Sequence, residues 1–470
     1  IIYVDLGSGY EKIFDVNVSS VPFLTEFPNG RFGFYNFSQD QVKYEKFIEP
    51  NGNLEIVASG GGIEGIDWAQ AGDVIFPMSN NAKINSSDLQ SKINNSTSGL
   101  SIQSDGLVTV SADLSITKPL AIESSSINLA ADITSSNASD ISLLAAENIA
   151  TSAQGVTIES QGGNILLNSN TDDSAGGSIA LSLADINSNG GNITLSGGSD
   201  PTVGFAEGVN QATISGLSVQ TPMKGIFLNG THIDALGGDI NLRGKGGNAT
   251  GVTGSYFAIG IDLVAYDING FGGTSGSNSR GTEIHTTGIG NISLVGIGGV
   301  NNNQYTHGVG INFYEGNGSI NVISSENGSI TLTGTDGTGT AVEDVGVLND
   351  GGDVAIYSTT GSITIEGDGA TADQGFKIDG QTYIGWNGSN TPTTGDITIR
   401  ADSYSLTANT NINTTGGLVF ESKDTAFSGS ITFPSSNGTL GSGISSLRVG
   451  KTTNTEDVTV DSELSVAGPI

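Results

Sequence analysis

The chain has 470 residues, 48 of them acidic against 16 basic, for a formal charge of −32, and it has no cysteine. The scarcity of Lys and Arg excludes the clustered phosphate contacts of a nucleic-acid partner and argues against an anionic membrane surface. The missing cysteines exclude disulfide staples, thiolate zinc sites and cysteine catalysis. No run of 18 apolar residues occurs, so no membrane span is expected. Glycine is abundant at 71 residues and proline sparse at 10, without a Gly-X-Y period. That pattern fits many tight turns and not collagen. A charged fraction of 14% with abundant Ile, Val and Leu fits a folded chain. Acidity without cysteine suits an exported prokaryotic protein. The opening Ile1-Ile-Tyr-Val4, with neither Met nor signal peptide, reads as a mature product or a piece of something longer.

Residues 1–95 read as an aromatic-rich β head or cap. The first eighty residues hold 13 of the 30 aromatics, with runs such as Phe32-Gly-Phe-Tyr-Asn-Phe37. Asn29-Gly30 and Asn51-Gly52 are hairpin-turn signals between apolar segments. From Asn81 to Gly204 there is no aromatic for 124 residues. There aliphatics alternate with Ser, Thr and Asn, as in Leu107-Val-Thr-Val-Ser111 and Ile127-Asn-Leu-Ala130.

Residues 96–400 carry a recurring cassette, Gly-x-Ile-x-Leu/Ile/Val. It reads Gly163-Asn-Ile-Leu-Leu167, Gly177-Ser-Ile-Ala-Leu181, Gly191-Asn-Ile-Thr-Leu195, Gly238-Asp-Ile-Asn-Leu242 and Gly290-Asn-Ile-Ser-Leu294. It continues at Gly318-Ser-Ile-Asn-Val322, Gly328-Ser-Ile-Thr-Leu332, Gly361-Ser-Ile-Thr-Ile365 and Gly395-Asp-Ile-Thr-Ile399. A turn residue followed by apolar-polar-apolar alternation predicts a short strand with one buried face. Many such strands in series, with no helical stretch between them, predict an all-β fold, a parallel β-helix or β-solenoid. Ile193, Leu195, Ile292, Leu294, Ile330, Leu332, Ile363 and Ile365 are expected to point inward. Three cassettes stand 14 residues apart, from Gly163 to Gly191; beyond Phe205 the spacing widens. In the wider units a second apolar run follows, as in Gly310-Ile-Asn-Phe313, Gly346-Val-Leu348 and Gly375-Phe-Lys-Ile378. The added Gly, Asn, Ser and Thr residues are expected in projecting loops, a usual place for recognition. Residues 401–470 read as a further β-repeat segment. It shows no polar end cap, so the polypeptide is expected to continue past Ile470.

The cassettes, with the tail from Leu447-Arg-Val-Gly450 to Ala467-Gly-Pro-Ile470, resemble filamentous-haemagglutinin-like giant bacterial surface adhesins built of β-strand repeats. The resemblance spans about residues 96–470. It implies export, a rod-like β-helix, and attachment to an extracellular glycan, matrix or cell-surface ligand. The amino-terminal region does not match the secretion domain of those haemagglutinins, and an export or anchoring protein is its expected partner.

No catalytic residues are expected. His232, His285 and His307 read as isolated histidines in surface loops, too few for a Ser-His-Asp arrangement or a metal site. Asp172, Asp173, Asp336, Glu343, Asp344 and Asp368 are candidates for calcium, which prefers several oxygen ligands, but neither an EF-hand loop nor a nonapeptide array occurs. No cofactor is expected, and solvated carboxylates are the default reading. A polysaccharide hydrolase or lyase on a β-helix is the alternative, although only Lys83, Lys92 and Lys118 supply positive charge between Asn81 and Asp200. Trp68 and Trp386 read as packing residues before sugar platforms. Asn17, Asn36, Asn192, Asn291, Asn317, Asn327 and Asn387 open Asn-x-Ser/Thr triplets, and Thr331-Leu-Thr333 is an outward strand pattern. A structural filament or surface-layer subunit is the third reading.

Overall fold

The computed structural model describes residues 2–5, 10–14, 52–174, 176–209, 223–248, 256–265, 280–301, 306–314, 319–339, 343–369, 374–386, 391–406, 410–434, 438–461 and 463–470. Three long sheets run side by side, of 15, 13 and 11 strands, and nearly all their pairs are parallel. Through most of the rod each coil contributes one strand to each sheet in turn; at the carboxyl-terminal end Ile431–Phe433 and Val458–Val460 pair separately. One coil reads Leu120–Ser124, Ser126–Leu129 and Ile133–Ser135; the next reads Ile141–Ala145, Ile149–Thr151 and Thr157–Glu159. The fold is therefore a three-sided parallel β-helix. The first sheet stacks twelve parallel strands from Leu100–Gln103 to Ser446–Val449. At about 4.8 Å per strand that rod is about 50 Å long.

The cassette builds the first sheet. Ile193, Ile240, Ile292, Ile330, Ile363 and Ile397 lie in register, one per coil, and each is essentially unexposed. Leu195, Leu242, Leu294, Leu332, Ile365 and Ile399 form a second buried column. Thr194, Ser293, Thr331 and Thr364, between them, face outward and are partly exposed. The expected register is the observed one. It follows from the two-residue period of a strand, which sends alternate side chains to opposite faces.

The leading glycine has a steric cause. A Cβ at Gly361 would lie 2.0 Å from the Gly328 carbonyl oxygen, and one at Gly328 would lie 1.8 Å from that of Gly290. The same close approach recurs at Gly191, Gly238 and Gly395. The following x residue ties one coil to the next. Asn192, Asp239, Asn291 and Ser329 each donate a backbone N–H to the side-chain oxygen of the residue one coil below, at 2.8 to 3.0 Å. Inside the corner, Ser325 and Ser358 hydroxyls donate to the Gly290 and Gly328 carbonyls and accept from the Gly328 and Gly361 amides. Corner backbone groups that would otherwise be buried unpaired are thereby satisfied.

Three features differ from the sequence reading. The even 14-residue spacing is not the coil length. Gly177-Ser-Ile-Ala-Leu181 supplies Ile179–Ser182 of the second sheet, so the coil from Ile165 to Ile193 is 28 residues long and holds two cassettes plus the third-sheet strand Asp185–Asn187. The cassette ending at Val322 lies in the third sheet in the opposite register. Ile320 is 38% exposed, while Asn321 is buried, its Oδ1 accepting from the Thr282 amide, and Ile323 enters the core. Its Gly318 lies outside the described residues.

The third difference is a helix, Ser86–Asn95, at the start of the rod. Its Leu89 and Ile93 are fully buried. It lies over Leu114–Ile116, the first strand of the third sheet, whose outer edge would otherwise be open. Gln90 Nε2 donates to the Asp113 carbonyl, and Asn94 Oδ1 accepts the Thr117 amide. Residues 52–95 of the expected head are continuous with the rod. Leu54–Val57 and Ala82–Asn85 extend the second sheet, and the hairpin Trp68–Ala71/Val74–Pro77 extends the first. Ile2–Asp5 and Tyr10–Phe14 form an antiparallel pair.

Candidate functional site

The outward face of the third sheet gathers the most chemistry. Here Ile186, Ile233, Ile284 and Ile323 point inward, one per coil, so their neighbours on either side point out. One outward row runs Asp185, His232, Glu283; the other runs Asn187, Asp234, His285, Ser324. His232 and His285 thus sit in the strands His232–Asp234 and Glu283–Thr286. They are not isolated loop residues, as the sequence suggested. His307 also lies in a strand, Thr306–Tyr314 of the second sheet, and stacks on Phe257 with ring centroids 4.7 Å apart.

Arg280, just before Glu283–Thr286, reaches back along this face. Its Nε donates to His232 Nε2 at 2.9 Å, and its guanidinium pairs with Asp185. His232 Nδ1 lies 3.7 Å from Asp185 Oδ1, and its Nε2 lies 3.9 Å from Glu283 Oε2. Burial holds the His232 imidazole below its ordinary pKa, with Arg280 adding to the effect and the two carboxylates opposing it. An Nε2 that accepts from Arg280 belongs to the neutral ring. His285 behaves oppositely. Its Nδ1 lies 3.4 Å from Asp234 Oδ1, and this hydrogen bond raises its pKa against the effect of burial. Two histidines on neighbouring strands are therefore biased to different charge states. The face offers fixed donors and acceptors of both signs, its charged side chains and histidines partly exposed, one coil apart.

The chain matches no family model, no curated protein and no solved structure.

The calcium candidates are dispersed. Asp172 accepts from the Ser174 hydroxyl at 2.8 Å, and Asp173 accepts from the Ser199 amide at 3.2 Å. Asp344 accepts from the Gly308 amide at 2.9 Å. Asp368 pairs with Lys423, while Asp336 donates its backbone amide to the Asp368 carbonyl. The Glu343 side chain lies outside the described residues. Among the described residues no group of three or more His, Asp and Glu is placed to hold a metal ion. A groove of about 400 Å³ at the corner of the second and third sheets contains Asp113 and Asp132. Both carboxylates cap the chain's own amides, at Asp132 and Thr157 respectively.

Trp68 is buried in the first sheet, its Nε1 donating to the Gly62 carbonyl at 3.2 Å. Trp386 meets Tyr383 edge-on, with centroids 5.2 Å apart. Asn192 and Asn291 belong to the ladder described above, and Asn327 Oδ1 accepts from Thr360. Asn17, Asn36, Asn317 and Asn387 lie outside the described residues. Sequence reasoning missed the convergence of Asp185, His232, Arg280 and Glu283. Their separations of 47, 48 and 3 residues follow no motif. They meet only because coils of unequal length stack in register.

Proposed function

We propose that this chain is a non-catalytic stalk of an extracellular bacterial adhesin, holding attachment surfaces away from the cell. The carrying observation is the uninterrupted stack of twelve parallel strands in the first sheet. A solenoid of this kind gains length without needing a larger spherical core. The acidic surface favours a soluble, self-repelling rod. The expected ligands are extracellular glycans, matrix or cell-surface molecules. They would meet the Gly, Asn, Ser and Thr rich insertions between about Gly204 and Trp386 and the polar face around His232. Repetition along a cell surface would make weak contacts multivalent.

The test is binding of the purified chain to immobilised glycans and to host cells, alone and displayed in multiple copies. Binding that strengthens with copy number and leaves the glycan intact supports the stalk. Release of reducing ends from acidic or neutral polysaccharides would instead favour a depolymerising β-helix. That second reading is favoured by the carboxylates Asp185 and Glu283 beside His232 on one open face.

A further inference from the structure

Part of the outward side of the second sheet is itself buried. Ala150, Ala180, Phe227 and Val264 form an apolar cluster there, with Tyr314 packed against it. Phe227, Asp262 and Asn312 occupy adjacent positions in one outward row. Asp262 is 1% exposed and Asn312 3%. Lys224, two residues before the strand Ile226–Asn229, turns its amine onto Asp262 Oδ2, and its side chain is only 11% exposed. The Lys224 Nζ stands 4.4 Å from the centre of the Phe227 ring. The second Asp262 oxygen, Oδ1, accepts from Asn312 Nδ2 at 2.8 Å. Asn312 Oδ1 is buried without a hydrogen-bond partner among the described residues, a sign of how little polar company the site has. Three other lysine pairs are much more open. Lys83–Glu55, Lys245–Glu207 and Lys423–Asp368 have both side chains between 28 and 48% exposed. Lys377–Asp379, with a lysine 16% exposed, still has its carboxylate 32% exposed.

We propose that Lys224 and Asp262 react to form an intramolecular isopeptide bond, stapling two neighbouring coils of the rod. The step begins with passage of a proton from Lys224 Nζ to Asp262 Oδ2 along the hydrogen bond that already joins them. The neutral amine is a nucleophile. It attacks Asp262 Cγ; the developing negative charge falls on Oδ1, where Asn312 Nδ2 already donates. A bond forms between Lys224 Nζ and Asp262 Cγ, and the bond from Cγ to the protonated oxygen breaks. The leaving hydroxyl takes a proton from the attacking nitrogen and departs as one water molecule. Nothing is oxidised or reduced. The product amide is uncharged, which removes the burial penalty on both ions. A covalent tie between coils would suit a load-bearing stalk, but the chemistry rests on the local geometry alone and stands independently of the proposed function.

Intact-mass spectrometry of the denatured full chain, followed by peptide mapping, is the test. The expected mass is one water below that of the sequence, with a branched peptide joining the segments that contain Lys224 and Asp262. Lys224→Arg, which keeps the charge pair, should restore the full sequence mass and lower the thermal midpoint. A wild-type chain of full sequence mass would overturn the proposal without recourse to any variant. So would a branched peptide through Asn312 with loss of ammonia, since that would make Asn312 the electrophile and Asp262 only a base.

Discussion

Replacing Ile363 with Asp tests the register of the whole first sheet. Ile363 is fully buried between Ile330 and Ile397, its in-register neighbours one coil below and above. Losing the isoleucine removes about 2–3 kcal/mol of apolar burial. A carboxylate placed among isoleucines has no partner, so it takes up a proton at a further cost of a few kcal/mol. The sum, about 4–6 kcal/mol, is comparable to the stability of an ordinary domain. The next residue is the control. Thr364 lies on the outward row between Thr331 and Thr398 and is partly exposed, so Thr364→Asp should change stability by about 0.5 kcal/mol or less. The assay is urea unfolding followed by circular dichroism, at pH 4.5 and pH 8. A buried Asp has a folded pKa raised above its unfolded value of about 3.9, so the folded state binds more protons and stability falls as pH rises. The Ile363→Asp defect should therefore be smaller at pH 4.5 than at pH 8. An unchanged midpoint for Ile363→Asp together with a large loss for Thr364→Asp would refute the register and the argument built on it. Because coils contact only their neighbours, the loss is expected to appear as early unfolding of the coils around 363 and not as one cooperative collapse.

Gly361→Ala should destabilise by several kcal/mol or shift the coil, because its Cβ would meet the Gly328 carbonyl oxygen at 2.0 Å, whereas Gly429→Ala, with nothing within 4 Å, should be nearly silent; paired thermal melts check both. The raised pKa of His285 contributes stability that is fully present below its unfolded pKa of about 6.5 and is lost as pH rises through the higher folded value. NMR titration should place His285 above and His232 below the ordinary histidine value. Asp234→Asn should lower the His285 value, and an unmoved titration would refute the pairing; the stability effect should stay below about 1 kcal/mol because the pair is partly exposed. Asn94→Ala should cost about 1–2 kcal/mol, since the Thr117 amide loses its acceptor, and hydrogen exchange at Leu114–Ile116 should quicken before it does at the centre of the rod.

The repeat was legible in sequence because its physics is local. A glycine, a polar linker and two alternating aliphatics predict a strand with one face in the core, and Ile292 with Leu294 or Ile363 with Ile365 behave accordingly. The second runs, Ile311 to Phe313 and Phe376 to Ile378, also entered the core as strands of the second sheet. Periodicity alone could not say which sheet a strand joins. Gly177-Ser-Ile-Ala-Leu181 looks like its neighbours yet turns onto the second sheet, and Ile320 faces outward because Ile323 takes the inward place beside Ile284 and Ile356. Register is a property of the strands on either side, and no single segment contains it. The helix Ser86–Asn95 was illegible for a similar reason. Its apolar stripe is only Leu89 and Ile93, and such a short helix forms by packing on the strand edge it covers.

Composition by itself determined what the chain is not built for: cysteine chemistry and clustered basic contacts. The cassette by itself determined that most of the chain is stacked strands. Tertiary structure alone decided which side chains meet. Asp185, His232 and Arg280 converge across 95 residues, and Lys224, Asp262 and Asn312 converge across 88, because each coil returns the chain to the same face about 4.8 Å further along the axis. Insertions change the sequence distance between those partners without changing the distance in space, so the sites were written in the stacking and not in the spacing.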